Sequence, residues 1–366
     1  DSARRTLVAV SGGADSSALL LALRGASESM RTRLVVAHIL HDLRPEPDAL
    51  ADRDAACDLA RALGLPFVEA RARARERTDA RAHADSESNL EARARRLRYA
   101  ALARLAREHR CPFVAVAHHA DDLLETMLMR LLRGAGPRGL AAMRSARTLA
   151  RATADASGST PGVTLIRPML TLTRGDAQAL CRDCGWAWRE DATNADTTRL
   201  RAALRADVLP ALARLAPPGL PARLARSAGL LHAAADALAL AGQALRERAF
   251  VHLSRVDEPL LAPASTHLSR DALRNAPPAV VGEALRLACL ALDGSRRGAD
   301  RLSASALAPV VRAVRGRAGG GGGGTPGGRT FDVARWRFVL TTHLLRIELR
   351  TPAGPRRPPL HLQEPP

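Results

Sequence analysis

Two stretches of the sequence carry residue types that could do phosphate chemistry. The first is Ser11-Gly12-Gly13-Ala14-Asp15-Ser16, set between the apolar runs Leu7–Val10 and Ser17–Leu23. The paired glycines allow backbone angles that a side chain forbids. A strand, a glycine turn and a helix N-terminus together aim unpaired N–H groups and a helix dipole at an anion. Ser11, Ser16 and Ser17 add hydroxyls. The stretch is not a G-x-x-x-x-G-K-S/T loop, because no lysine follows. The turn alone leaves two readings open, an anion site or a capped strand-to-helix turn. The second stretch is Ala115–Met143, AVAHHADDLLETMLMRLLRGAGPRGLAAM. Asp122 and Glu125 are three residues apart and share a helix face. Leu124, Met127, Leu128 and Leu131 form the expected buried stripe, and Asp121 the expected cap. Acids at a helix start can simply answer its dipole. Beside a phosphate loop, the same pair can hold Mg²⁺ or remove a proton.

The elements that must position these residues alternate along the first half. Leu7–Val10, Leu34–Ile39, Phe67–Glu69 and Phe113–Ala117 read as strands, and Ser17–Arg24, Asp48–Leu63 and Leu90–Arg107 as helices. That rhythm predicts an α/β fold with a Rossmann-like parallel sheet covered on both faces. Ligands then lie beyond the C-terminal strand ends. A helix from about Asp121 to Arg133 follows, then a polar gap (Arg144–Gly162). Next come a strand at Val163–Ile166, a helix at Arg174–Cys184, a strand at Trp186–Arg189 and a helix at Thr198–Leu215. The proline cluster APPGLPARL from Ala216 marks a boundary. The expected organisation is a catalytic domain over 1–215, a helical domain over 216–295 and a last region over 296–366. That last region holds a glycine-rich loop (Ala318–Gly328), a β-hairpin and an unstructured tail. Alternation of Trp336, Phe338 and Leu340, then of Leu345, Ile347 and Leu349, predicts the hairpin.

Composition narrows the partners. The 366-residue chain has a formal net charge of +18, and its basic residues are all arginine. Such an excess suggests a polyanion, although alanine- and arginine-rich coding bias would give the same count. Aromatics are only 2%, which argues against broad base-stacking platforms. With no run of 18 or more apolar residues, no membrane span is expected. Five cysteines do not make a disulfide framework, and a reducing cytoplasm fits.

The five fixed letters of S-G-G-x-D-S, at the first strand-to-helix turn, resemble the pyrophosphate loop (PP-loop) of ATP pyrophosphatases. H-H-x-D-D-x-x-E-T followed by R-G-x-G-x-x-G-L resembles the tRNA(Ile)-lysidine synthetase family more specifically. AHILHDLR (Ala37–Arg44), EARARRLRY (Glu91–Tyr99), IRPML (Ile166–Leu170), WREDATNAD (Trp188–Asp196) and RAALRADVLP (Arg201–Pro210) are similar to further family segments. Asp42, Thr193 and Ala202 depart from the usual glycine, serine and asparagine. The likeness covers roughly residues 6 to 213 and is looser beyond, where a helical domain and a small β-hairpin region are expected.

The resemblance implies a ligase that forms a C–N bond. ATP adenylates the carbon-2 oxygen of the wobble cytidine of tRNA(Ile) with a CAU anticodon. The amine of free L-lysine then displaces AMP. Ser11, Gly12, Gly13, Ala14, Asp15 and Ser16 would hold the ATP phosphates. Asp15, His118, Asp122 and Glu125 would be catalytic, with Asp15 and Asp122 on Mg²⁺. Arg95, Arg98, Arg133, Arg201 and Arg205 would contact tRNA or phosphate. A homodimer is compatible with this. Two rival readings are a PP-loop tRNA 2-thiolation enzyme and a basic RNA-binding protein whose nucleotide site has decayed. Cys181-x-x-Cys184 could serve an iron–sulfur thiolase, yet with Ala177 and Leu180 it follows helical spacing. Both thiols are therefore expected on a buried face. His38 and His41 lack the further ligands of a tetrahedral metal set.

Overall fold

The computed structural model describes residues 5–26, 33–42, 45–72, 87–151, 153–155, 158–189, 203–216, 219–251, 265–293, 302–316 and 328–350. The chain packs as two compact units, Asp1–Gly134 with Gly139–Leu231, and Ala135–Arg138 with His232–Pro366.

In the first unit the expected parallel sheet forms from β1 (Thr6–Ala9), β2 (Leu34–His41), β3 (Phe67–Ala72), β4 (Phe113–Ala115) and a strand at Val163–Ile166. The chain winds outward from β1 through β2 to β3, then returns to place β4 on the other side of β1. The switch point between β1 and β4 is where such a sheet opens a crevice. Strand period puts alternate residues on opposite faces. Leu7 thus joins a core with Val35, Leu102, Leu105, Val114 and Leu165. Its neighbour Val8 joins the opposite core with Leu19, Leu20, Leu34, Val36 and Leu59. The covering helices are α1 (Ala14–Ala26), α2 (Glu46–Ala62) and α3 (Glu87–Glu108), followed after β4 by α4 (Ala120–Leu132).

Three details depart from the sequence reading. The polar gap contains an edge strand, β5 (Ala146–Ala150), antiparallel to Val163–Ile166. Four of its five residues are polar or alanine and its side chains stay largely in solvent, so no apolar alternation announces it. Beyond it, Thr153–Asp155 and Gly158–Thr160 (β6, β7) form a two-stranded ribbon, which makes Val163–Ile166 β8. Trp186–Arg189 is not a strand. Its backbone is used otherwise: Trp186 N–H closes the end of α5 (Arg174–Asp183) on Cys181 O at 2.8 Å, and Arg189 N–H donates to Gly12 O at 3.1 Å. Cys184 is exposed at the C-cap of α5, whereas Cys181 is fully buried. The buried face ends one turn earlier than the spacing implied.

Leu204–Val208 is a π-helical turn leading into α6 (Leu209–Leu215), and α7 runs over Leu220–Ala249. Among the described residues, α7 is long and apolar enough to cross a membrane, by length and composition only. It nonetheless carries Arg223, Arg226, Arg246 and Arg248 and buries Leu245 and Ala249 in the second unit's core.

In the second unit the expected hairpin, here β12 (Trp336–Leu340) and β13 (Leu344–Leu349), is part of a larger antiparallel sheet. That sheet also contains β9 (Phe250–Val251), β10 (Ser265–Ser269) and β11 (Arg329–Val333). The glycine-rich run 318–327 and the tail 351–366 lie outside the described residues. Helices α8 (Arg270–Arg274), α9 (Pro278–Asp293) and α10 (Ala304–Arg315) complete this unit. Trp336, Phe338, Ile347, Leu285 and Val310 lie at its centre. Arg270 is buried and caps α10 from the side: it donates to the carbonyls of Ala313 (3.2 Å), Val314 (3.2 Å) and Gly316 (2.8 Å). Arg270→Met leaves these carbonyls without a donor. The expected result is a loss of roughly 2–4 kcal/mol of stability, read as a lower urea midpoint for the full chain.

Candidate active site

The loop Ser11–Ser16 leaves β1 and enters α1 at the crevice. Ser16 Oγ accepts from Ser11 N–H at 3.0 Å and donates to Gly13 O at 3.1 Å, which curls the loop on itself. Gly12 has φ +90°, the left-handed region open to glycine. A cleft of about 290 Å³ opens beside the loop. Ser11, Gly13, Asp15 and Ser16 line it, with His38, His118, Tyr99 and Arg98 among the other walls. Ala14 is buried at the helix start. His38 is oriented by Val10 O, 2.9 Å from its Nδ1. Burial, only partly offset by this bond and by nearby acids, depresses its pKa.

Two of the expected residues, Asp15 and Asp122, converge on one histidine that the sequence reading did not choose, and Arg205 ties Asp122 to Glu125. His119 is the N-cap residue of α4 and is 4% exposed. Its Nε2 lies 3.4 Å from Asp15 Oδ2 and 3.5 Å from Asp122 Oδ2, and its Nδ1 lies 3.4 Å from Asp121 Oδ2. Burial disfavours the imidazolium, but the hydrogen bond to Asp15 and the three carboxylate charges outweigh it and raise the pKa. Asp122 is pulled the other way. Burial opposes its ionisation, yet both neighbouring histidines, the His119 N–H at 3.2 Å and Arg205 hold its carboxyl below the usual range. Asp122, at the third position of α4, thus binds the cap residue's N–H, the place Asp121 was expected to fill. Asp121 instead accepts from Arg174 N–H at 2.7 Å, at the start of α5.

The buried face of α4 also differs from expectation. Asp122, Leu123 and Glu125 are buried, while Leu124, Met127 and Leu128 are half-buried and Leu131 is 59% exposed. Burying the two acids is possible because Arg205, on the π-turn, bridges them. Its Nε donates to Glu125 Oε2 at 2.9 Å and its Nη2 to Asp122 Oδ1 at 3.2 Å. A second cleft, of about 360 Å³, is lined by Asp15, His119, Asp121, Arg174 and Arg205, so Asp15 borders both clefts.

His118 turns away from this cluster. Its Nδ1 accepts from Arg167 Nε at 3.2 Å, and burial foremost, aided by Arg167, Arg95 and Arg98 against the pull of Asp122, lowers its pKa to about 3. It is a neutral wall of the first cleft. Arg98 lines that cleft, and Arg95 lies over Tyr99 outside it. Arg133 caps the far end of α4, roughly 16 Å along the helix from Asp122 at 1.5 Å per residue. Arg201 lies outside the described residues, as do Ala202 and residues 190–196. The sequence reading missed His119, Asp52 and Arg189. A clue to His119 was its place just before the acidic helix start. Asp52 and Arg189 form an ion pair at 3.0 Å beside Gly12; Asp52 had no motif to mark it, and Arg189 lay unremarked inside the WREDATNAD segment.

Among the described residues, no group of three His, Cys, Asp or Glu side chains is placed to enclose a metal ion. Asp15 and Asp122 nonetheless offer hard oxygens close together, and Asp15 Oδ1 is buried with no hydrogen-bond partner. That fits Mg²⁺, which uses one or two carboxylates and completes its shell with water and phosphate. Cys181 donates to Ala14 O at 3.5 Å, and burial raises its pKa to about 11. It is a packing thiol beneath the loop.

The PP-loop domain family matches residues 1–212. A tRNA(Ile)-lysidine synthase of Dehalococcoides mccartyi (strain CBDB1) is 38% identical over 58% of this chain and 42% of the relative. One from Ralstonia nicotianae is 40% identical over 71% of this chain and 49% of the relative, and one from Bordetella pertussis is 37% identical over 66% and 69%. The chain therefore spans less than half the length of the first two. Among solved structures, a U34-tRNA thiolase from Methanococcus maripaludis with its 4Fe-4S cluster aligns over 63% of this chain and 74% of its own. The identity there is 15% and the TM-score 0.46. With the family matched over residues 1–212 and relatives of this identity, the chain belongs to the PP-loop family of tRNA(Ile)-lysidine synthases.

Proposed function

We propose that the chain binds ATP and converts the wobble cytidine of tRNA(Ile) with a CAU anticodon into lysidine. In the first step the carbon-2 oxygen of the base attacks the α-phosphorus, and pyrophosphate leaves. In the second the amine of free lysine adds at carbon 2, the C–O bond to AMP breaks, and the amine loses a proton. The observation that carries the reading is the convergence of Asp15, His119, Asp122, Glu125 and Arg205 at the sheet's switch point, between two clefts.

The roles follow from the chemistry. Loop amides and the hydroxyls of Ser11 and Ser16 hold the β- and γ-phosphates. Mg²⁺, held by Asp15 and Asp122, would supply positive charge for the departing pyrophosphate. His119, within 3.5 Å of both acids, keeps them oriented. Glu125 and Asp122 receive the lysine ammonium and take up its proton, which requires Arg205 to yield part of its double ion pair. The Arg205 side chain is 38% exposed and has room to do so. Arg98 offsets charge at the first cleft, with Arg95 beside it. A tRNA substrate places the chain in the cytoplasm.

The test uses the full chain with a tRNA(Ile) transcript, radiolabelled lysine and ATP labelled at the α-phosphate. Lysine should enter the RNA only when ATP is present, and AMP should form only when the tRNA is present. A sulfur-dependent 2-thiocytidine without lysine incorporation would replace this reading with thiolation. Cys181→Ser with Cys184→Ser should keep the lysine reaction.

A further inference from the structure

The single tyrosine of the chain gathers positive charge that extends beyond the first cleft. Tyr99 lies in α3 and is 8% exposed. Arg95 and Arg98 of the same helix place their guanidinium carbons 5.6 Å from its ring centroid, and Arg147 of β5 comes to 5.0 Å. The phenol hydroxyl is buried and makes no hydrogen bond of proper geometry, although the Arg167 guanidinium is beside it. None of Arg95, Arg98 and Arg147 has a carboxylate partner among the described residues. Like charges held this close repel one another. The ring's negative faces relieve part of that repulsion, and an anion would relieve the rest.

Position says which anion. Tyr99 and Arg98 line the first cleft, while Arg95 and Arg147 lie outside its walls and are exposed. The positive charge thus continues from the cleft out over the edge strand. A free nucleotide is held inside the cleft. A polymer that sends one base inside must leave its flanking backbone on the rim. The buried ring cannot stack on a base, so it reads no sequence. Planar guanidinium groups suit phosphate oxygens. We propose that the Tyr99 cluster, with Arg147 at its outer edge, is a binding site for an RNA backbone phosphate next to the nucleotide that enters the cleft. This rests on the chain acting on RNA.

The test is fluorescence anisotropy of the full chain with a labelled RNA hairpin between 50 and 200 mM salt. Arg147→Ala should weaken binding about 5-fold and make the salt dependence shallower by roughly 0.7–0.9 in log–log slope, the signature of one lost phosphate contact. Tyr99→Leu removes no charge but should weaken binding similarly, and Tyr99→Phe should retain it. Binding of a fluorescent ATP analogue should be unchanged in Arg147→Ala. An Arg147→Ala chain with unaltered affinity and slope overturns the proposal, and its exposed position on an edge strand keeps that outcome readable even if Tyr99→Leu fails to fold. If Arg147→Ala lowers affinity and slope in a chain that adds no lysine, the phosphate site stands and the lysidine reading falls.

Discussion

Replacing Glu125 by Gln is expected to slow lysine incorporation by about 100-fold or more, in the range for loss of a positioned acid–base group. The amide keeps the size of the side chain and can still accept from Arg205, so the packing of α4 against Leu123's neighbours is retained. What disappears is a carboxylate that is 1% exposed and paired at 2.9 Å to Arg205, which itself lines the second cleft. Removing one member of a fully buried ion pair costs several kcal/mol because the other is stranded. Arg205 is not stranded: its side chain is 38% exposed and retains Asp122 Oδ1 at 3.2 Å. The stability loss is therefore expected to stay near 1 kcal/mol. Asp122→Asn should behave similarly in rate, since an amide oxygen still accepts the His119 N–H while the charge beside His119 is gone. Single-turnover lysine transfer and thermal unfolding on the same samples decide the matter. Equal losses in both would return the two acids to the role of helix-start decoration.

How much of this was legible in the sequence follows from the range of each interaction. β1, the glycine turn and α1 were legible because strand, turn and helix signals are local. Val163–Ile166 was found for the same reason. β5 was not, because its residues carry little apolar signal and its existence depends on β8 already being in place. Trp186–Arg189 looks like a strand by composition, but the chain there binds the end of α5 and the backbone of Gly12. The stripe of α4 misled for a physical reason. Periodicity ranks leucine above aspartate for burial, and it cannot foresee a guanidinium arriving from Leu204–Val208, some 80 residues later, to neutralise both acids. The same blindness chose His118 over His119. Adjacent histidines at a strand end are equivalent until backbone geometry sends one to Arg167 and the other to Asp15.

Gly12→Ala should be the most damaging single-methyl change in the chain's first unit. An added Cβ would stand 2.8 Å from Asp52 O and 3.3 Å from Asp52 Cα, both backbone atoms of α2. That helix cannot retreat, because Ala56, Leu59 and Ala60 fix it in the core at 0–1% exposure. The loop must move instead. It is tied on the same side by Arg189, whose N–H donates to Gly12 O at 3.1 Å and whose Nε donates to Asp52 at 3.0 Å. Alanine is also strained at a φ of +90°, which costs on the order of 1–3 kcal/mol for a residue with a side chain. A displacement near 1 Å at groups that hold reacting phosphates can slow a reaction about 100-fold. AMP formation is expected to fall by that order, with a higher KM for ATP and little change in RNA affinity. Gly25→Ala provides the control. It lies in α1 with nothing within 4 Å of its Cβ position, so the same methyl should leave the rate intact and add about 0.5–1 kcal/mol of helix stability. If Gly12→Ala matched Gly25→Ala in both rate and KM for ATP, the loop Ser11–Ser16 would not be the part of this chain that holds the phosphates.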